Sequence, residues 1–451
     1  MSGEEAPVSA RDAVFMMKMK VAKPGVRRLY GELLANEKLP IQDLRALTEA
    51  RAADMAGYAF DNSSFYRSLY ADAGLSRDDL RDPGVLTSLP VIDRAVVKEN
   101  AAQIRSTTVK PADARSALTG GSTGEPLQTW NDARVPMLPL SWRMYGWWGT
   151  APADDVVHIG RWGSSRRTRL TTLLSWWPTR VTLIDASKLD ERTIAGLVDT
   201  VNRYRPPLIE GYVGALYEIA RYIDRTGLTF HPPIALGATA APLTPEVRAF
   251  VEATLGAPLH DQYRCSEVPW MAGECSRRDG LHIFSDMRRI EVVDEAGKPQ
   301  PPGVVGDLVV TDLTNRVFPL VRYRLGDRGS LREQSCPCGV SLPLMDSPDG
   351  RTVDMIRLPD RTVVAGGMFS IFSGVPSAVR QFRMHQNADY SIDVQVVLGD
   401  SASAQADAQN AVAALRDRLD RQVDVRLTVV DTLPYTGGKI KYITSDVLAP
   451  I

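Results

Sequence analysis

"LTGGSTGEPLQTW", Leu118 to Trp130, sets Gly120, Gly121, Ser122, Thr123 and Gly124 side by side between two apolar flanks. Glycines let a backbone approach a ligand closely and turn its N–H groups toward an anion. The neighbouring hydroxyls can donate to phosphate oxygens. The segment is not a Walker loop, because Glu125 follows Gly124 where that motif requires lysine. It is not the G-x-G-x-x-G dinucleotide pattern either. Taken alone, the stretch also fits a plain Gly/Ser turn.

Beyond it, residues 115–345 alternate short apolar runs with helical segments. "DDVVHIG", "RVTLIDA" and "PPLIEGY" read as strands, whereas "LDERTIAGLVDTVNRY" and "TPEVRAFVEATLG" have apolar residues at helical spacing. Such alternation predicts an α/β fold. Residues 1–100 read as mostly helical, and the last hundred as a small α+β unit, with strand "YSIDVQVVLGD", helix "SAQADAQNAVAALRDRLDRQ" and strand "VDVRLTVVDTLP". The Pro-, Gly- and Asp-rich stretch "MDSPDGRTVDMIRLPDRT" marks a junction between a large unit, 1–350, and a small one, 351–451.

The 451 residues carry a formal net charge of -1, with 44% hydrophobic and 24% charged residues. This balance offers nothing to a nucleic-acid backbone or an anionic membrane. There is no run of about 18 apolar residues, and the N-terminus lacks the pattern of a secretory signal, so a cytoplasmic location is expected. Four cysteines do not make a disulfide framework; they are expected to be free or metal-bound. The oligomeric state is open, with a homodimer among the states allowed.

The glycine stretch resembles the phosphate loop of the acyl-adenylate-forming (ANL) superfamily, whose common form is S/T-S/T-G-S/T-T-G-K-P. Three further stretches follow in that superfamily's order. "HDQYRCSE" (260–267) resembles Y-G-x-S/T-E, "YRLGD" (323–327) resembles Y-R-T-G-D, and "LPYTGGKIK" (433–441) resembles the C-terminal P-R-x-x-x-G-K motif. The chain is similar, over nearly its whole length, to the branch of phenylacetate–coenzyme A ligases and their capsular-biosynthesis relatives. The resemblance implies a large N-terminal α/β adenylate-forming domain and a small mobile C-terminal α+β cap domain. It also implies activation of a carboxylic acid by ATP, releasing pyrophosphate, followed by transfer to coenzyme A.

Matched motif by motif, Thr119, Gly120, Gly121, Ser122, Thr123 and Gly124 would bind ATP phosphates, and Glu267 would be catalytic through Mg2+, a cation that prefers oxygen ligands. Tyr263 would stack on adenine, with Asp261 and Ala240, Ala241 and Pro242 at its edge. A core aromatic is the rival reading of Tyr263. Asp327 would accept from the ribose hydroxyls, or be merely a turn aspartate. Arg351 would lie on the ribose side. Lys439, after Gly437 and Gly438, would be the catalytic lysine brought in by the cap to stabilise charge at phosphorus. Tyr212, Gly237 and Ala238 match segments near the acid pocket.

Three departures stand out. Glu125 replaces the loop lysine, so Mg2+ and Lys439 would supply the positive charge. Val353 replaces the usual Asp or Lys of the hinge, which puts the thiol-transfer step in question. Arg264 replaces a usual glycine and adds a side chain near the acid pocket. An amine or a carrier-protein thiol is therefore an alternative acceptor, and a non-catalytic nucleotide-binding protein is a third reading. The acid itself is read only as small or aromatic. The tryptophans of "SWRMYGWWGT" and "LLSWWPT" suit core packing better than a pocket. Cys275, His282, Cys336 and Cys338 form a candidate tetrahedral Cys3His zinc set, with free thiols and a core histidine as the alternative. Cys265 reads as a small buried filler.

Overall fold

The computed structural model describes residues 10–119, 127–160, 172, 175–186, 189–348, 356–360, 363–364, 378–419, 421–433 and 443–447. Helices α1 (Ala10–Ala22), α2 (Pro24–Asn36), α3 (Ile41–Asn62) and α4 (Ser64–Asp72) open the chain, followed by α5 (Arg94–Glu99) and α6 (Ala101–Ile104). A hairpin of β1 (Ala114–Thr119) and β2 (Leu127–Asp132) sets Thr119 opposite Leu127, so residues 120–126 connect the two strands. After α7 (Leu138–Trp147) come β3 (Val156–Gly160), β4 (Val181–Asp185), α8 (Glu191–Tyr204), β5 (Leu208–Tyr212), α9 (Val213–Thr226), β6 (Ala235–Thr239), α10 (Pro245–Leu255) and β7 (Leu259–Tyr263). β8 (Ala272–Glu274) and β9 (Leu281–Ile283) follow, then β10 (Arg288–Val293), β11 (Gly306–Asp312), β12 (Tyr323–Gly329) and β13 (Leu344–Met345).

Among the described residues, eight strands form one sheet in the order β13-β9-β8-β7-β6-β5-β3-β4. The run from β4 to β7 is parallel and the β7–β8–β9–β13 edge is antiparallel. Parallel strands joined by helices need both faces covered, and here they are. Side chains alternate across the sheet. Val157, Ile209, Leu236 and Leu259 share a register row and pack under α8, α9 and α10. Val156, Leu208 and Ala235 point the other way, into a core that includes Leu140, Trp142, Tyr145 and Trp148 at α7 and Phe15 of α1. The tryptophans at 142 and 148 are thus core residues, whereas Trp177 is exposed.

Local sequence explains the crossover helices. Asp190 caps α8 by accepting from the Thr193 N–H, and Ile194, Leu197, Val198 and Val201 form its buried stripe. That i, i+3, i+4, i+7 spacing is one face of a helix, and each such buried side chain contributes about 2 kcal/mol. Val201→Asp would put an unpaired charge into that layer. α10 starts with Thr244 accepting from the Val247 N–H and Pro245 in its first turn; it stops at Gly256, whose φ of 71° suits glycine.

A separate antiparallel sheet, β10-β11-β12, packs with α3 and α4 around Met55, Tyr66, Tyr70, Val310, Phe318 and Tyr323. Further on, β14 (Ile356–Arg357) pairs with β15 (Val363–Val364), and β16 (Val379–Gln386), β17 (Ile392–Leu398), α11 (Ala404–Arg418), β18 (Val425–Val429) and β19 (Ile443–Ser445) form a four-stranded sheet with one helix. These elements have their own core, from Ile356 and Phe382 to Leu415 and Val425. The α/β reading, the α+β character of the last hundred residues and the helical start all hold.

Candidate functional site

Ligands of open α/β sheets sit at the carboxyl ends of the parallel strands. β7 ends there with Tyr263, which is half-buried and donates its hydroxyl to Asp327 Oδ2 at 2.7 Å. These two residues belong to different sheets, so the bond joins β7 to β12. Glu267 is buried four residues further on and pairs with Arg94 Nη1 at 3.4 Å. Asn131 of β2 donates to the Ser266 carbonyl at 3.4 Å and ties the glycine-loop hairpin to the turn that carries Glu267. Tyr263, Glu267, Asp327 and the strand leading out of the glycine segment thus meet in one place.

No motif in the sequence points to Arg94. Ile92 accepts from the Arg324 N–H at 2.8 Å and donates to the Arg322 carbonyl at 3.1 Å, which lays the segment before α5 along β12. Asp93 then caps α5 by accepting from the Val96 N–H at 2.9 Å. Together these contacts carry Arg94 to a carboxylate 173 residues away. The only local signal was Asp-Arg at a helix start.

Asp261 lies one row inside the end of β7 and is buried. Its Oδ1 accepts from the Gln262 N–H at 2.8 Å and its Oδ2 from the Ser347 hydroxyl at 3.0 Å. Burial, reinforced by the neighbouring Glu274 carboxylate, raises its carboxyl to about 7. Ala240 follows β6 with a φ of 75°; it and Pro242 are exposed while Ala241 is half-buried, so 240–242 form a turn at the sheet's carboxyl edge. Tyr212 ends β5 at the same edge and is half-buried. Gly237 and Ala238 are both buried, Ala238 on the face packed by α8–α10. Gly120 to Gly124, Glu125, Arg351, Val353, Lys439 and Lys441 lie outside the described residues, as does the side chain of Thr119.

At the antiparallel edge, Cys275, His282, Cys336 and Cys338 converge, with all four ligand atoms within 4.8 Å of one another. Cys275 Sγ is 3.7 Å from Cys336 Sγ, and Cys338 Sγ is 3.3 Å from His282 Nε2. A tetrahedral zinc with sulfur at about 2.3 Å has S···S edges of about 3.8 Å, so the set fits the ion. The other histidine nitrogen, Nδ1, lies 3.0 Å from the Leu342 carbonyl, the kind of outer partner that orients a ligating imidazole. Burial lowers the His282 pKa, which favours the neutral imidazole. Cys265 is half-buried and packs at the edge of the α3–α4 core, where its sulfur accepts from the Val268 N–H at 3.2 Å. Burial, with the Glu267 charge, pushes its thiol well up, away from nucleophile chemistry.

No family model matches the chain. A phenylacetate–coenzyme A ligase from Thermus thermophilus is 26% identical, over 88% of this chain and 94% of the relative. Protein CapK from Staphylococcus aureus is 22% identical, over 90% of each. A crystal structure of 2-hydroxyisobutyryl-CoA ligase in its postadenylation state superposes with a TM-score of 0.76 at 18% identity, covering 91% of both chains. The chain has the fold of an adenylate-forming ligase. It is similar in sequence to the phenylacetate–coenzyme A ligases across most of its length, as its four motifs implied.

Proposed function

We propose that the protein is an AMP-forming acid–thiol ligase. A carboxylate oxygen attacks the α-phosphorus of ATP, the bond to the β,γ-pyrophosphate breaks, and acyl-AMP forms. The thiol of coenzyme A then attacks the acyl carbon, AMP leaves, and the thiol proton passes to solvent. The meeting of Tyr263, Asp327 and Glu267 at the carboxyl edge of the sheet carries this reading. It sets an aromatic face beside a carboxylate acceptor and a buried carboxylate, the three features that adenine, ribose and a phosphate-bound cation need.

In this reading Tyr263 stacks on adenine, and Asp261 and the Ala240–Ala241–Pro242 turn line its edge. Asp327 and Arg351 hold the ribose, while Thr119 and Gly120 to Gly124 cradle the phosphates. Glu267 would hold Mg2+, which when bound neutralises phosphate charge. Arg94 adds a cation where Glu125 denies the loop its lysine. Lys439 stabilises charge at the transferring phosphorus, delivered by a cap spanning 351–451 against a body spanning 1–350. Tyr212 faces the acid, as does the strand position of Gly237, whereas Ala238 packs into the α8–α10 core and only backs that position. The four-residue Cys/His cluster is a structural zinc site. Among the described residues no helix is long and apolar enough to cross a membrane. With no disulfide among its cysteines, and with ATP and coenzyme A as co-substrates, we place the chain in the cytoplasm.

The test is pyrophosphate release from purified protein with ATP, Mg2+ and a panel of acids, with and without coenzyme A, and products identified by mass spectrometry. Acid-dependent release ending in acyl-CoA supports the whole reading. Release ending in acyl-AMP alone keeps adenylation and moves the acceptor to an amine or a carrier-protein thiol. ATP binding without any release overturns it.

A further inference from the structure

The α7 face of the sheet changes character one row from its carboxyl edge. Below lies the apolar row of Val156, Leu208 and Ala235. Above it, His158, Glu210, Gly237 and His260 stand in register across four adjacent strands. Glu210 is 4% exposed, yet it is fully engaged. It accepts from the Tyr145 hydroxyl, lies 2.7 Å from His158 Nδ1 and accepts from the Gln262 amide at 3.4 Å. Burial alone would raise the Glu210 carboxyl, but the Arg264 and His158 charges and these hydrogen bonds bring it below the usual range. A Cβ at Gly237 would sit 2.2 Å from the Gln262 amide nitrogen and would displace that amide from Glu210.

Arg264 is the open end of this network. Its guanidinium lies 4.4 Å from the Trp270 ring centre and 3.6 Å from Glu210 Oε1, beyond hydrogen-bond reach. Its side chain is 27% exposed. A guanidinium has five N–H donors and cannot lose its charge. Among the described contacts of Arg264, none uses those donors at hydrogen-bond distance. The residue directly follows Tyr263, so with Tyr263 stacked on adenine as proposed above, Arg264 lies beside the bound nucleotide, toward the acid joined to it. A buried carboxylate that braces an arginine whose own donors are spare is a binding device aimed at an acceptor.

We propose that Arg264, stacked on Trp270 and braced by Glu210, determines acid specificity, and that the acid carries a second hydrogen-bond-accepting group, a hydroxyl, carbonyl or second carboxylate, besides the one activated. This rests on the ligase reading above and narrows its substrate class away from acids with a purely hydrocarbon side chain. Glu210 is a positioning residue here, since it acts through Arg264.

The experiment measures kcat/KM for pyrophosphate release with matched acids: phenylacetate, 4-hydroxyphenylacetate and 4-carboxyphenylacetate; butyrate, 3-hydroxybutyrate and succinate. Sites built to hydrogen-bond a substrate group discriminate strongly, so a polar member is expected to exceed its hydrocarbon partner by at least about tenfold. Arg264→Gly should erase that ratio while leaving the KM for ATP unchanged. Arg264→Lys, which keeps the charge but loses the planar fork, should retain part of it. Should the glycine variant fail to fold, the lysine variant and the wild-type ratios decide. Hydrocarbon acids used as well as polar ones by the wild type overturn the inference and leave the ligase standing. A polar preference that survives Arg264→Gly also overturns it. No release with any acid overturns the ligase reading and the inference together.

Discussion

Removing one oxygen atom tests the proposed nucleotide site. Tyr263→Phe keeps the ring but deletes the hydroxyl that donates to Asp327 Oδ2 at 2.7 Å. Hydrogen bonds to charged groups contribute about 1.5–3 kcal/mol. Both residues are half-buried, so solvent replaces part of that, and the lower end of the range applies. At about 1.4 kcal/mol per factor of ten, the ATP KM should rise about tenfold. Because Asp327 would hold the ribose equally in ground and transition states, kcat should barely move. Tyr263→Ala also removes the stacking face, worth about 1–3 kcal/mol for a base on an aromatic ring, so its ATP KM should rise about a hundredfold. ATP–pyrophosphate exchange at saturating acid measures both. A phenylalanine variant within twofold of wild type would show that the hydroxyl does not organise the ribose site. Equal losses in the two variants would show that the ring does not stack on the base.

Lys439→Ala should lower the rate of acyl-AMP formation by at least about 100-fold, the scale for losing one transition-state donor, read by single-turnover pyrophosphate release. Protein purified without chelator should contain about one zinc per chain by elemental analysis, and Cys336→Ser should lose most of it together with several degrees of melting temperature; less than about half a zinc per chain in the wild type refutes the site. Asp261 has its carboxyl raised to about 7 by burial and the Glu274 charge, whereas in the unfolded chain it titrates near about 4. Between those values the folded form holds the extra proton, so this residue's contribution to stability falls as pH rises. The melting temperature of Asp261→Asn should therefore gain on wild type as pH is raised from 5 to 8, and a constant difference would contradict the raised carboxyl.

The parts of the site that were legible in the sequence are those written in consecutive residues. "YRCSE" and "YRLGD" named Tyr263, Glu267 and Asp327, and the structure joins Tyr263 to Asp327 across two sheets. The alternation of apolar runs and amphipathic helices likewise gave the layered sheet, because period and capping act locally. What stayed hidden depends on lateral strand order. His158 and Glu210 are 52 residues apart and neighbours only because β3 pairs with β5. Arg94 reaches Glu267 only through the backbone pairing of Ile92 with β12. Arg264 stands out in the sequence as an odd residue, but its meaning needs Glu210 and Trp270, which no spacing rule puts beside it. The four-residue Cys/His set was legible because cysteine and histidine are few in this chain.

The Cys/His cluster also has a mechanical side. β13 is only two residues long, pairing Leu344 and Met345 with His282 and Leu281, and it is the last strand of the sheet before the C-terminal stretch. So brief a ladder would peel easily under tension. The cluster pins Cys336 and Cys338, just upstream, to Cys275 and His282. With the pin closed, a pull on the C-terminal part ends at Cys338. Without those cross-links the same pull would run on through β9 and β8 to β7, whose last residue is Tyr263. Losing the pin at the sheet's edge would then reach the proposed nucleotide site as slack in the strand that holds Tyr263.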